Sequence, residues 1–171
     1  MNRFWKEYFI FMEKKTNTLK KALTGIILSV ILIVIDQVTK LMAIHGLMNQ
    51  QPFVIWDGVF ELHYLENRGA AFGILQGKKI FFVFFTLIVL CLIAYLYLKR
   101  IPDEKKFRPR DGICILFFAG ALGNFIDRVF RNYVVDFFYF KLIDFPVFNV
   151  ADIYVTVAAF AMIILGLFYY K

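Results

Sequence analysis

Apolar residues run along this chain in four long blocks, at about 24–44, 79–98, 112–131 and 152–170. Each block reaches or approaches the roughly 20 apolar residues that a helix needs to cross a bilayer. The pattern therefore predicts four transmembrane helices. The first and third blocks are less clean, because Asp36, Lys40, Asn124 and Asp127 sit toward one end of each. A different rhythm separates the first two blocks. In "PFVIWDGVFELHYL" (52–65), the turn pair Asp57-Gly58 lies between β-prone runs, the pattern of a hairpin. Beyond it Phe60, Leu62 and Tyr64 alternate with Glu61 and His63, as in a half-buried strand. The fold expected is a membrane all-α protein with a small β element. The stretch "ENRGAAFG" (66–73) suits a tight turn or a close approach of backbone to a ligand. It lacks the spacing and the Lys-Ser/Thr ending of a phosphate loop. The polar segment "KRIPDEKKFRPRDG" (99–112) reads as a solvated connector. No repeat or linker divides the chain, so a single domain is expected over 1–171, with residues 1–20 as a basic N-terminal extension.

Composition supports the membrane reading. Of 171 residues 61% are hydrophobic, against about 45–50% in a soluble domain, and the mean hydropathy is +0.67. The net charge of +7 is a topology signal rather than a nucleic-acid footprint. Arg3, Lys6, Lys14, Lys15, Lys20 and Lys21 precede the first span, and Lys99, Arg100, Lys105, Lys106, Arg108 and Arg110 fill the loop between the second and third. With four spans, both tails and that loop share one side, and the positive-inside rule makes it cytoplasmic. Segments 45–78 and 132–151 then lie outside, and the small sheet rests on the outer membrane surface. The first block is too long for a signal-peptide core and is read as an uncleaved anchor. Residues 1–12 read either as an aromatic-basic interfacial segment or as a disordered tail. Cys91 and Cys114 fall within spans, without a neighbour of metal-ligand type, and read as small buried hydrophobes.

Polar residues gather at one depth. Gly120, Gly123, Asn124, Asp127 and Arg131 follow i, i+3, i+4, i+7 and i+11 on one helix face. Asp36 and Lys40 are i and i+4 in the outer half of the first span. Asn149 is placed to cap the fourth helix with Asp152 at its third position. Asp136 lies just outside the third span. The inner halves of the spans carry no acid. Each residue has a bland reading: Asp152 as a helix-start charge, Asp36 with Lys40 as a structural pair, Asp127 and Arg128 as a helix end at the headgroups, Asp144 as a solvated loop acid. Their convergence favours a functional site, since ionisable residues within a membrane are rare and costly.

The residue types limit the chemistry. Ser29 is the only serine and lies in an inner half, which excludes a serine nucleophile at the outer level. Neither cysteine has a histidine within its span. His45 and His63 are the only histidines and form no HExxH pattern, so no metal site and no cofactor are expected. Carboxylate remains in quantity. Two close carboxylates do not both ionise easily, so one retains a proton. The ionised member can take a proton from water and the protonated one can give a proton to a leaving amine. Composition and placement thus allow an aspartic hydrolase without selecting it. A small proton-coupled transporter is the alternative, motivated by Asp and Lys within spans, and a non-enzymatic assembly subunit is a third reading, motivated by the glycines of span three.

Five motifs occur in order: "DQVTK" (36–40), "ENRGAAFG" (66–73), "GALGNFIDR" (120–128), "VVDF" (134–137) and "FNVAD" (148–152). Together they resemble the bacterial lipoprotein signal peptidase family, signal peptidase II. The resemblance implies an aspartic endopeptidase of the bacterial plasma membrane. It would cleave the signal peptide from a prolipoprotein just before a diacylglyceryl-modified Cys. The catalytic positions it implies are Asp136 and Asp152. Asn124, Asp127, Arg128 and Asn149 match polar positions that support the pair, and Asp36, Lys40, Asn67 and Gly69 match further family positions. The partners implied are the lipid-modified precursor and membrane lipids, with no nucleic acid, and a monomer is expected. Asp136 and Asp152 are sixteen residues apart, so the chain between them must fold back across a cleft. The N-terminal extension is longer than the family needs, and the stretch between "VVD" and "FNVAD" is a little short.

Overall fold

The computed structural model describes residues 3–69, 77–100 and 108–168. Residues 70–73 of the glycine-containing turn, 101–107 of the basic connector and 169–170 of the fourth block lie outside the described residues. Four long helices are present: α1 (Arg3–Leu47), α2 (Lys79–Arg100), α3 (Pro109–Phe130) and α4 (Val150–Phe168). All four are long and apolar enough to cross a membrane. Their flanks expose apolar side chains, among them Ile26, Phe84, Leu92, Phe160 and Ile164, as lipid-facing surfaces do. Where helices touch, small residues let the backbones close up. Ala119, Ala151 and Ala158 are wholly buried. A Cβ on Gly120 would lie 2.5 Å from the Ala151 carbonyl oxygen, and one on Gly123 would lie 2.5 Å from Asp36 Oδ2. Gly120 thus lets α3 close on the backbone of α4, and Gly123 leaves room for the Asp36 side chain of α1.

The β element is a three-stranded antiparallel sheet, ordered β1 (Phe53–Trp56), β2 (Phe60–Asn67), β3 (Val134–Tyr139). The hairpin forms at Asp57-Gly58 as expected. Gly58 takes φ +71°, a left-handed conformation that glycine adopts without strain, and Val59 N donates to the Trp56 carbonyl at 3.0 Å. Two features depart from the sequence reading. Glu61, on the polar side of the alternation, is buried and accepts from Lys141 Nζ at 3.3 Å, because the returning chain covers that end of β2. The third strand, "VVDFFY", was not anticipated. Its alternation is hidden because both faces are covered. Val135 and Phe137 pack with Ala43 at the end of α1, while Val134 and Asp136 face a cavity.

The boundaries of the spans also shift. Helix α1 begins at Arg3, so the described part of the basic extension is helical and continuous with the first span. The disordered-tail reading of residues 1–12 therefore fails from Arg3 onward. Helix α3 begins at Pro109, which puts Asp111 in its first turn, paired with Lys21 at 3.7 Å. This pair and the sheet lie at opposite ends of the helices.

Candidate active site

The fold-back between positions 136 and 152 has a visible construction. After β3 the chain makes a 3-10 turn at Lys141–Ile143, and Asp144 reverses it with φ +48°. Tyr139 Oη holds the turn by donating to Asp144 Oδ1 at 2.6 Å, a bond that also raises the tyrosine pKa. Phe148 then pairs with Phe138 through two backbone hydrogen bonds, 2.9 and 3.0 Å long. The next residue, Asn149, starts α4. Its side-chain Oδ1 accepts from Asp152 N at 3.0 Å, and Asp152 Oδ2 accepts from Asn149 N at 3.1 Å. This reciprocal cap satisfies two helix-start donors and fixes the Asp152 rotamer.

Asn149 also ties the two acids together. Its Nδ2 donates to Asp136 Oδ1 at 2.6 Å and, at 3.2 Å, to Asn124 Oδ1. Asn124 Nδ2 donates in turn to Asp152 Oδ1 at 2.8 Å. On the other side Asn67 Nδ2 donates to Asp136 Oδ2 at 2.9 Å. Both carboxyl groups, with Asn67, Asn124 and Arg128, line one open cavity of about 990 Å³. Asp136 is almost wholly buried, and its surroundings are not neutral toward its charge. Burial pushes its carboxyl up to about 7, and the neighbouring Asp152 carboxylate adds to the rise; the Asn67 and Asn149 amides and the Lys40 charge oppose it. Arg128 reaches over the Phe82 ring, 4.9 Å from its centre, and donates to the Gly69 carbonyl at 3.3 Å, so its cation faces the cavity beside the acids. Gly69 N donates to Asn67 Oδ1 at 2.9 Å, which orients the amide toward Asp136.

The remaining predicted residues stand behind this wall. Asp36, Lys40 and Asp127 are fully buried and do not line the cavity. Lys40 Nζ contacts Asp36 Oδ2 at 3.0 Å and Asp127 Oδ2 at 3.1 Å, and donates to Asn124 Oδ1 at 2.8 Å. Asp127 also pairs with Arg131 and accepts from Val135 N at 3.1 Å. Asp36 Oδ1 accepts from Ala151 N at 3.0 Å, which fastens the start of α4 to α1. Gln37 and Arg131 complete the cluster. Gln37 Nε2 reaches Asp36, Asp127 and the Gly123 carbonyl at 3.1–3.2 Å, and its Oε1 accepts from Arg131. Gln37 is a site residue that the sequence alone does not single out. Its signal was a long amide in the outer half of an otherwise apolar span. Asp144, read as a solvated acid, is exposed on the cavity rim. Among the described residues no group of three or more His, Cys, Asp or Glu side chains is arranged to hold a metal ion.

Against known proteins, the model of the family described as signal peptidase (SPase) II matches residues 28–168. The chain belongs to the signal peptidase II family. It is 40% identical over 135 residues to the lipoprotein signal peptidase of Clostridium novyi (strain NT), covering 77% of this chain and 89% of that one. Over 128 residues it is 44% identical to the lipoprotein signal peptidase of Clostridium acetobutylicum, covering 73% and 81%. A bacterial membrane enzyme solved by the in meso method at 1.9 Å resolution superposes with a TM-score of 0.73 at 36% identity, over 85% of this chain and 93% of that one. Membership in the signal peptidase II family displaces the transporter and assembly-subunit readings. The ions that motivated the transporter are a closed, mutually neutralised cluster, and the span-three glycines are spent on contacts within the bundle.

Proposed function

We propose that this chain cuts signal peptides from prolipoproteins with Asp136 and Asp152 as its catalytic pair. As a member of its family it is an aspartic-type endopeptidase of bacterial membranes that processes prolipoprotein signal peptides. The assignment of the pair rests on one observation: Asn149 hydrogen-bonds both carboxyl groups while both line the same cavity. In this mechanism Asp136 keeps a proton near neutral pH, because burial and a like-charged neighbour raise its pKa. Ionised Asp152 takes a proton from water, and the hydroxide formed adds to the scissile carbonyl. Arg128 faces the developing oxyanion. Asp136 then protonates the leaving amine as the C–N bond breaks, and the proton on Asp152 restores the pair. Asn67, Asn124 and Asn149 hold the carboxyl groups in place. Asp36, Lys40 and Asp127 position the three elements that carry them, and Gly69 aligns Asn67.

Charge and depth set the orientation. The termini and the basic connector face the cytoplasm, and the sheet and cavity face outward at the plasma-membrane surface. A signal peptide enters sideways from the bilayer and is cut before the Cys whose diacylglyceryl chains remain in lipid. The enzyme acts as a monomer and a single domain, without a metal or cofactor. The test is purified protein with a diacylglyceryl-modified precursor peptide and its unmodified twin. Cleavage confined to the modified peptide is expected; equal cleavage of both would remove the lipid from the recognition.

A further inference from the structure

Helix α1 is longer than a bilayer requires. Its 45 residues extend roughly 67 Å at 1.5 Å per residue, more than twice a hydrocarbon core of about 30 Å. The match to the peptidase family begins at residue 28, so the first half of this helix is unaccounted for by the catalytic fold. That half is patterned. Trp5, Met12 and Leu19 follow i, i+7 and i+14, and Phe4, Tyr8 and Phe11 follow i, i+4 and i+7 beside them. With Phe9 they form a broad apolar arc, and every one of these side chains is exposed, Trp5 by 50%, Phe9 by 58% and Phe11 by 62%. Lys6, Glu13, Asn17 and Lys20, at i, i+7, i+11 and i+14, occupy a different face. Residues 3–21 hold six basic and two acidic residues, a formal +4.

Two occupants suit an exposed aromatic arc: a second copy of the helix, or lipid. A two-helix seam is narrow and needs flanking charges that attract across it. Here the arc is wide and the flanking charge is mainly of one sign, which repels a parallel copy and attracts an anionic surface. Aromatic side chains on one face and lysines on another are the composition of a helix lying in the headgroup region. Lys15 falls inside the arc, where its stem can cover apolar surface while the ammonium reaches phosphate. The junction with the span can bend. Thr16 Oγ1 donates to the Met12 carbonyl at 2.9 Å and Thr24 Oγ1 to the Lys20 carbonyl at 3.0 Å, and threonine bonds to the preceding turn loosen and bend helices.

We infer that residues 3–20 form an amphipathic arm that binds the anionic lipid surface of the bilayer, docking Trp5, Phe9 and Met12 among the headgroups and bending away from the span between Met12 and Thr24. The arm is a second membrane contact, separate from the four spans and independent of the catalytic pair.

Trp5 is the probe. The chain has two tryptophans, Trp5 and Trp56, so Trp56→Phe leaves one reporter. The full chain is reconstituted in vesicles of phosphatidylcholine alone and of phosphatidylcholine with about one-third phosphatidylglycerol. In anionic vesicles the Trp5 emission moves to the blue and loses roughly half its intensity to brominated acyl chains, as an interfacial indole does. In neutral vesicles, and in anionic vesicles with Lys6→Gln, Lys15→Gln and Lys20→Gln combined, both effects shrink severalfold. Emission typical of water in both lipids would overturn the arm. Equal shifts in both lipids would overturn the charge selectivity, and a shift that scales with the protein-to-lipid ratio would assign the face to a second copy.

Discussion

Two groups of buried acids lie side by side in this protein, and they are built on opposite terms. Asp36 and Asp127 face Lys40 and Arg131, so two negative charges meet two positive ones. Gln37, Val135 N and Ala151 N take up remaining oxygen lone pairs. Nothing in that cluster opens to the cavity. Asp136 and Asp152 are charged neighbours held mainly by amides, with Arg128 beside them in the cavity and Lys40 behind, and both reach the cavity wall. The first group is a neutral fastener of α1, α3, β3 and α4. The second sets two buried like charges at one cavity, a repulsion that amides, Lys40 and Arg128 only partly offset, since the Asp136 carboxyl still stands well above its ordinary range. An acid within a membrane protein is therefore informative only once its counter-charges are counted.

The two groups should respond differently to substitution. Replacing Asp136 or Asp152 by Asn should abolish turnover of the lipid-modified peptide by about 100- to 10,000-fold, the span of a lost acid-base group, with membrane insertion intact. Single-turnover cleavage by the purified variants reads this directly, and retained cleavage by either would remove that residue from the chemistry. Lys40→Met tests the fastener. It leaves two buried carboxylates facing Arg131 alone and should cost about 3–5 kcal/mol. Thermal unfolding in detergent micelles should show the loss, whereas an unchanged midpoint would mean that the cluster contributes nothing to the fold. Gly123→Ala is the gentler probe. Its methyl group would press on Asp36 Oδ2 and should cost about 1–3 kcal/mol, as overpacking does. A neutral effect would show that α1 and α3 separate easily.

Much of this contrast was already legible in residue order. Four apolar runs gave the helices, Asp57-Gly58 gave the hairpin, and Asn149 three places before Asp152 gave the cap. The i, i+4 spacing of Asp36 and Lys40 predicted their ion pair. The rest depends on contacts between distant segments. No local pattern says that Asp127 shares Lys40 with Asp36, 91 positions away in sequence, or that Gln37 spans both acids, because helix packing through Gly123 creates those distances. Strand β3 escaped because both of its faces are buried, which erases the alternation that reveals a half-exposed strand. Glu61 read as a surface residue until the turn carrying Lys141 closed over it. The continuity of α1 was obscured by the composition of residues 3–20, whose charges and aromatics suit an interface and a helix equally.

The shared proton is read most directly by an infrared titration of the protonated carboxyl band in the purified protein, run beside the pH profile of kcat/KM. Asp136 has its pKa raised to about 7, so it is protonated below that value and loses its proton above it. A carboxylic acid band should disappear as pH rises through about 7, together with the alkaline limb of kcat/KM. Asp136→Asn should remove the band, and Asp152→Asn should move its midpoint downward by withdrawing the like charge. If no carboxyl titrates between roughly pH 5 and 9 in the parent protein, or if the band persists unchanged in Asp136→Asn, the two acids do not share a proton and the account is contradicted.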